Sequence, residues 1–192
     1  MILAFTGAGI SVASGIPTFA EQQGIRDKLS RSFATEHPKE FEQTMRKMRE
    51  TCENAQPNAA HFALAEAGVP IITMNIDGLH QRAGSEHVLP IHGDFDGGVV
   101  LYGDTAPLYE EAVVWTERLR PGDFFLIVGT SFYTGIANVL RNRALFSGAD
   151  IYIINDDAVR KVPEFLAKAD TTPCSFDAFM ERQISAKPPY SF

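Results

Sequence analysis

Apolar residues in this chain fall into short unbroken runs. Ile2–Phe5, Val69–Met74, Val88–Ile91, Gly98–Tyr102, Phe124–Val128 and Ile151–Ile154 are continuous rather than alternating. That is the pattern of strands buried on both faces of a sheet. Between them, Ala8–Ser14, Pro38–Cys52, Ala59–Ala67, Pro107–Arg118 and Ile136–Phe146 have the mixed spacing of helices. Pro57-Asn58 opens one helix and Gly68 closes it. Pro121-Gly122 and Gly148 mark later joins. Strand and helix alternate, and a glycine turn follows the first strand. The predicted fold class is therefore α/β, a Rossmann-like doubly wound parallel sheet. Ala20 to Arg49 breaks the rhythm, being polar and charged until Phe41, Met45 and Met48. Its first half is predicted to be a mobile loop, placed where a loop closing over a ligand would sit; a solvated connection is the alternative. One domain is expected over residues 1–186, followed by an extended tail, 187–192 (Lys-Pro-Pro-Tyr-Ser-Phe).

Composition adds limits. The 192 residues, 45% of them apolar, suit one sizeable domain with a true core. A net charge of −7 argues against nucleic acid as the main partner. The longest apolar run, near Phe124–Val128, is too short to cross a bilayer. The chain opens directly on a strand with no basic-then-apolar leader, so the expected location is cytoplasmic. Cys52 and Cys174 stand far apart without C-x-x-C spacing, so no four-cysteine zinc site can form and no metal is expected.

Three clusters carry candidate chemistry. In Thr6-Gly-Ala-Gly-Ile-Ser-Val-Ala-Ser-Gly-Ile-Pro-Thr-Phe19, glycines after a strand let backbone approach a pyrophosphate. A lone G-x-G would equally be a tight turn. Thr73-Met-Asn-Ile-Asp-Gly-Leu-His-Gln-Arg-Ala-Gly-Ser85 puts Asn75 and Asp77 at the carboxyl end of a strand, where α/β sheets bind ligands. Both residue types also favour starting a turn. Ile91-His-Gly93 puts His92 at a further strand end, as a general base for neutral pH or as a structural histidine.

Together these segments resemble the sirtuins, the NAD-dependent protein deacylases, over most of the chain from Leu3 to about Asp177. The resemblance implies NAD as cofactor and an acylated lysine peptide or protein as partner. It places Gly7, Ala8, Gly9, Ile10, Thr18 and Phe19 against the dinucleotide. Asn75 would bind the nicotinamide ribose and order a water, Ile76 would lie beside it, and Asp77 would hold the nicotinamide carboxamide. The acyl oxygen displaces nicotinamide in this family, and His92 would then activate a ribose hydroxyl. His80 reads as structural. Val99-Val-Leu-Tyr-Gly-Asp104 resembles the strand on which sirtuins lay their peptide, with Val100, Tyr102 and Gly103 at the substrate. Gly129, Thr130, Ser131, Asn155 and Cys174 complete the cofactor set. Gln56-Pro-Asn-Ala-Ala-His-Phe-Ala-Leu-Ala-Glu66 also matches, and reads as a core helix without chemistry.

The chain departs from the family in three places. Ala20 stands where sirtuins have arginine, with Arg26 and Arg31 as candidate substitutes, and Met74 stands where they have glutamine. Only five residues separate Gly93 from Val99, where most sirtuins insert a zinc module with two C-x-x-C pairs. The implied enzyme is zinc-independent, with a more open groove that a partner subunit could complete. Deacylases that prefer acidic acyl groups carry Tyr and Arg three apart before the P-N-A helix. Met45 and Met48 fall there, so no succinyl or malonyl preference is expected. A protein-lysine deacylase is the first reading. The alternatives are an NAD glycohydrolase or ADP-ribosyltransferase, and a non-catalytic NAD- or ADP-ribose-binding module.

Overall fold

A computed structural model describes residues 1–22, 24–171 and 174–184; the predicted tail 187–192 lies outside them. Five parallel strands form the sheet: β1 (Ile2–Thr6), β2 (Ile71–Thr73), β3 (Val88–Pro90), β6 (Phe124–Val128) and β7 (Asp150–Ile154), in the order β3-β2-β1-β6-β7. β4 (Gly93–Asp94) and β5 (Gly98–Val99) make a separate antiparallel hairpin. The helices are α1 (Ile25–Lys28), α2 (Arg31–Glu36), α3 (Pro38–Asn54), α4 (Ala59–Glu66), α5 (Leu79–Arg82), α6 (Tyr109–Glu117), α7 (Gly135–Phe146), α8 (Ala158–Lys168) and α9 (Phe176–Met180).

Side chains alternate across β1. Leu3 and Phe5 enter one core with Phe125, Ile127, Trp115, Leu140 and Phe179. Ala4 enters the other with Leu126, Val128, Ile71, Leu64 and Val162. The apolar runs are continuous because helices cover both faces of the sheet. The chain moves outward from β1 to β2 and β3, then returns to β6 on the other side of β1. Strand order thus reverses between β1 and β6, which opens a crevice above their carboxyl ends.

Four expectations need correction. Ala8–Ser14 is a 3-10 helix rather than an α-helix, because its backbone is drawn onto the β6 turn: Gly9 N–H donates to Gly129 O at 2.9 Å. The first half of Ala20–Arg49 holds α1 and α2 rather than a bare loop. Ser30 caps α2, its hydroxyl accepting from Phe33 N–H at 3.2 Å, while Ile25 and Leu29 are buried. Helices this short contain too few apolar positions to show a period.

Gly98–Tyr102 does not join the main sheet. A parallel neighbour needs a crossover of about a dozen residues, and Gly93–Val99 instead turns back on itself through Gly93 and Gly98, both at positive φ. β7 is the outer strand and is not buried on both faces, with Tyr152 48% and Ile153 45% exposed. Predicted and observed bounds agree for Phe124–Val128. Asn58 does cap α4, its side chain accepting from Ala60 N–H at 3.0 Å, with Gly68 at φ 60° after its end.

Candidate active site

The crevice is a cavity of about 1140 Å³ bounded by the ends of β1, β2, β6 and β7 and by α1 and α3. Its floor is a close backbone contact between the turns after β1 and β6. Gly7 N–H donates to Val128 O at 2.9 Å. A Cβ on Gly9 would lie 2.6 Å from Gly129 Cα, and one on Gly129 2.3 Å from Ile10 N, with Gly129 itself at φ +64°. Neither position admits a side chain. The predicted residues Ala8, Gly9, Thr18 and Phe19 line the cavity, as do Gly129, Thr130, Ser131 and Asn155. Asn155 Oδ1 accepts from Thr130 N–H at 3.1 Å, which joins the ends of β6 and β7.

Three predicted cofactor residues are not among those that line the cavity. Gly7 is buried in the strand-to-turn join, and Ile10 is fully buried in the α4–α8 core. Cys174 packs against the opposite core, with Phe176 and Trp115. Apolar side chains in and around a glycine turn serve the core before the ligand, and the sequence pattern does not separate the two.

Asn75, Ile76 and Asp77 line the cavity beside the glycine turn. Asn75 Nδ2 donates to Gly7 O and to Ser11 Oγ, both at 3.2 Å. Ser11 Oγ donates to Asp77 Oδ2 at 2.7 Å, and Asp77 Oδ1 accepts from Leu79 N–H at 2.9 Å. Asp77 therefore starts α5 and also lines the cavity, so its structural role leaves it at the site. Arg82 fastens this loop from behind, donating to Cys52 O at 2.7 Å, Ala55 O at 2.8 Å and Asp77 O at 3.0 Å.

His92 lies on the same wall, half-buried. Its Nδ1 is 3.1 Å from Met74 O and its Nε2 is 2.9 Å from Tyr109 Oη. Burial pushes its pKa down, and the Met74 carbonyl opposes this. Met74 fills the place of the usual glutamine, its Sδ accepting from Thr134 Oγ1 at 3.2 Å.

The cations divide. Arg31 pairs with Asp104 through two bonds of 2.7 and 2.6 Å, which hold the carboxyl down to about 2. Arg26 lines the cavity and lies 4.1 Å over the Tyr133 ring. Of the two candidates to replace the missing arginine, only Arg26 faces the cavity. Val100, Tyr102 and Gly103 line it too. Tyr102 N–H already donates to Leu29 O, and Tyr102 O accepts from Arg31 N–H, each at 2.9 Å. A peptide could not pair with the backbone of Tyr102 without displacing the α1–α2 joint.

Sequence reasoning missed three contributors. Asn58, assigned no chemistry, donates from Nδ2 to Ile10 O and to Ser14 Oγ, each at 2.9 Å, and so ties α4 to the glycine turn. Thr44, Lys47 and Thr51 continue, beside Met48, a helical face of α3 along the cavity, which the spacing of 3 and 4 would have shown. Tyr109 has no motif around it that points to His92.

Comparison with known proteins agrees with this geometry. The model of the Sir2 family matches residues 7–97. An NAD-dependent protein deacylase of Aggregatibacter actinomycetemcomitans is 31% identical, over 78% of this chain and 90% of that protein. This chain belongs to the Sir2 family. An NAD-dependent protein deacetylase of Sulfurisphaera tokodaii is 48% identical, over 91% of this chain and 89% of its own length. That alignment runs to 232 positions, more than the 192 residues here, so that deacetylase has segments without a counterpart in this chain. Among solved structures, a mutant Sir2 homologue in complex with ADP-ribose superposes with a TM-score of 0.79 at 25% identity, over 86% of this chain and 90% of that one. A Sir2 complex with an inhibitor, 2'-O-acetyl-ADP-ribose and a deacetylated p53 peptide gives 0.76 at 25%, over 88% and 93%. The Rossmann-like sheet is thus the Sir2 fold.

The pocket of this sirtuin fits a dinucleotide. Its volume exceeds that of ordinary small-ligand sites. Its floor is bare backbone, and amide and carboxylate side chains converge at one end.

Proposed function

We infer that this sirtuin is an NAD-dependent protein-lysine deacylase. The observation that carries this reading is the gathering of Asn75, Asp77 and His92 on one wall of the cavity whose floor is the Gly9–Gly129 contact. NAD supplies an activated ribose that accepts the acyl group as nicotinamide leaves.

The chain's own residues do the rest. Ala8, Gly9, Thr130, Ser131 and Asn155 hold the ADP-ribose half over the floor. Asn75, fixed by Gly7 O and Ser11 Oγ, orients the nicotinamide ribose. Asp77, with both oxygens already directed by Ser11 and Leu79, holds the carboxamide. Phe19 and Ile76 exclude water around the reacting carbon. Met74 O accepts a hydrogen bond and cannot donate one, so neutral His92 has its hydrogen on Nδ1 and its lone pair on Nε2. Nε2 takes the ribose hydroxyl proton. Val100 and Gly103 flank the acyl-lysine.

The reading includes activity without zinc, since Gly93 to Val99 closes as one short hairpin, and a cytoplasmic location. Among the described residues, no helix is long and apolar enough to cross a membrane.

The test is mass spectrometry of products from the purified protein, NAD and an acetyl-lysine peptide, beside His92→Ala. O-acetyl-ADP-ribose and free lysine, lost in the variant, are expected. Nicotinamide and ADP-ribose with an unchanged peptide would make the protein an NAD glycohydrolase. No product with retained NAD binding would make it a binding module.

A further inference from the structure

The nitrogen that must take the proton is already occupied. With its hydrogen on Nδ1 toward Met74 O, His92 has one lone pair, on Nε2, and Tyr109 Oη lies 2.9 Å from it. The phenol is the donor in that bond, because the imidazole nitrogen it meets has no hydrogen to give. Burial pushes the Tyr109 hydroxyl up, which keeps it protonated and a donor at neutral pH. The two rings are 5.9 Å apart at 47°, and both residues line the same cavity. Tyr109 is the first residue of α6, and its N–H donates to Ala106 O at 3.2 Å, which sets the root of its side chain.

One lone pair accepts one strong hydrogen bond. A ribose hydroxyl that reaches Nε2 has to take the place of the phenol. We propose that Tyr109 is a positioning residue for His92: it holds the imidazole with its lone pair on Nε2 and covers that nitrogen until the ribose hydroxyl displaces it. The proposal rests on the deacylase reading for the identity of the incoming hydroxyl. The Tyr109–His92 pairing itself does not depend on it. No bond other than hydrogen bonds changes in the exchange: the phenol keeps its proton and turns to another acceptor, and the ribose hydroxyl then donates to Nε2.

Other ionisable groups reach the cavity from each element around it. They are Asp77 after β2, Asp104 and Tyr102 after β5, Tyr133 after β6, Arg26 and Lys28 on α1, and Lys47 and Cys52 on α3. Asp104 is paired with Arg31, and Lys28 with Glu40 at 2.7 Å. Arg26 sits over Tyr133. The phenol is the group 2.9 Å from Nε2, so its removal reports on that nitrogen.

The experiment is an NMR titration of the His92 imidazole in wild-type protein and in Tyr109→Phe, assigned with His92→Gln, together with calorimetric binding of ADP-ribose to both. A bond donated to Nε2 favours the neutral ring, so its loss raises the His92 midpoint by about half to one pH unit. ADP-ribose no longer has to displace the phenol, and binds the variant about two- to tenfold tighter. In turnover, the acid limb of kcat/KM, which reports the free enzyme, moves with the NMR midpoint, while that of kcat stays in place.

An unchanged midpoint would overturn the proposal. So would weaker ADP-ribose binding, or a kcat collapse at constant KM, since either means that the phenol stays on the reaction path. If the Tyr109→Phe substitution disturbs packing, the wild-type protein still decides. ADP-ribose must shift the His92 Nε2 and Tyr109 resonances together, and a shift of neither overturns the exchange. Tight ADP-ribose binding with the expected NMR changes but no deacylated peptide would sink the deacylase reading alone.

Discussion

Ser11 donates its hydroxyl hydrogen to Asp77 across 2.7 Å, joining the turn after β1 to the loop after β2. The same Ser11 oxygen accepts from Asn75, so one hydroxyl sets the direction of both side chains at the nicotinamide end. Ser11→Ala leaves the Asp77 carboxylate one donor short. NAD turnover is expected to fall by roughly ten- to a hundredfold, with a stability loss of only about 1 kcal/mol. Steady-state kinetics beside urea unfolding separates the two effects; a stability loss alone would mean that the hydroxyl is only structural.

Asn58 is expected to matter for both folding and binding. Asn58→Ala removes the α4 cap and the two bonds to the glycine turn. Stability should drop by about 1–2 kcal/mol, and KM for NAD should rise several-fold because the turn loses its brace. Asn58→Asp keeps the cap but not the donors, so it should restore stability without restoring KM.

Met74→Gln puts an amide where the thioether now accepts from Thr134. The amide oxygen can keep that bond while its nitrogen gains a donor toward the ribose. KM for NAD should fall about two- to tenfold, and a rise would show that the cavity has repacked around the methionine.

The two arginines after the glycine turn make opposite predictions. Arg26→Ala removes the cation that lines the cavity and should weaken NAD binding measurably by calorimetry. Arg31→Ala should instead loosen the loop around Asp104 and raise KM for the peptide, with NAD binding unchanged. Equal effects of both variants on NAD would refute this division.

His61 and His80 are buried with rings 4.8 Å apart, and burial pushes their pKa values down to about 4 and about 3. Both values lie below the unfolded value of about 6.5. The unfolded chain therefore binds protons first as pH falls. Their contribution is intact above pH 6.5 and is lost progressively between there and about pH 3 to 4. Thermal unfolding followed from pH 7.5 to 4 should show Tm falling mainly below 6.5. His61→Gln should flatten part of that fall.

Much of this was legible in the sequence, for physical reasons that differ from place to place. Phe124–Val128 was plain because five apolar residues in a row, bounded by Pro121-Gly122 and Gly129, are the length of a strand covered on both faces. Asn75, Asp77 and His92 could be placed at the crevice from the sequence because each follows an apolar run, at the end of a strand where the sheet leaves room for a ligand. The packing of the Ile10 and Cys174 side chains into the cores was not legible, because a sequence pattern fixes the path of the backbone, not the side to which each side chain turns. Tyr109 was invisible. It meets His92 only through the fold, 17 positions away in sequence, and nothing local marks the encounter.

The contact between Gly9 and Gly129 gives the cofactor floor a property that neither turn has alone. It is a seam between residues more than a hundred positions apart, and neither side can be revised independently. A library that varies one turn will recover glycine at the seam whatever the selection. A graft of the first strand and turn into another α/β host will work only if the segment around Val128–Thr130 travels with it. The unit of inheritance, and of engineering, is the pair.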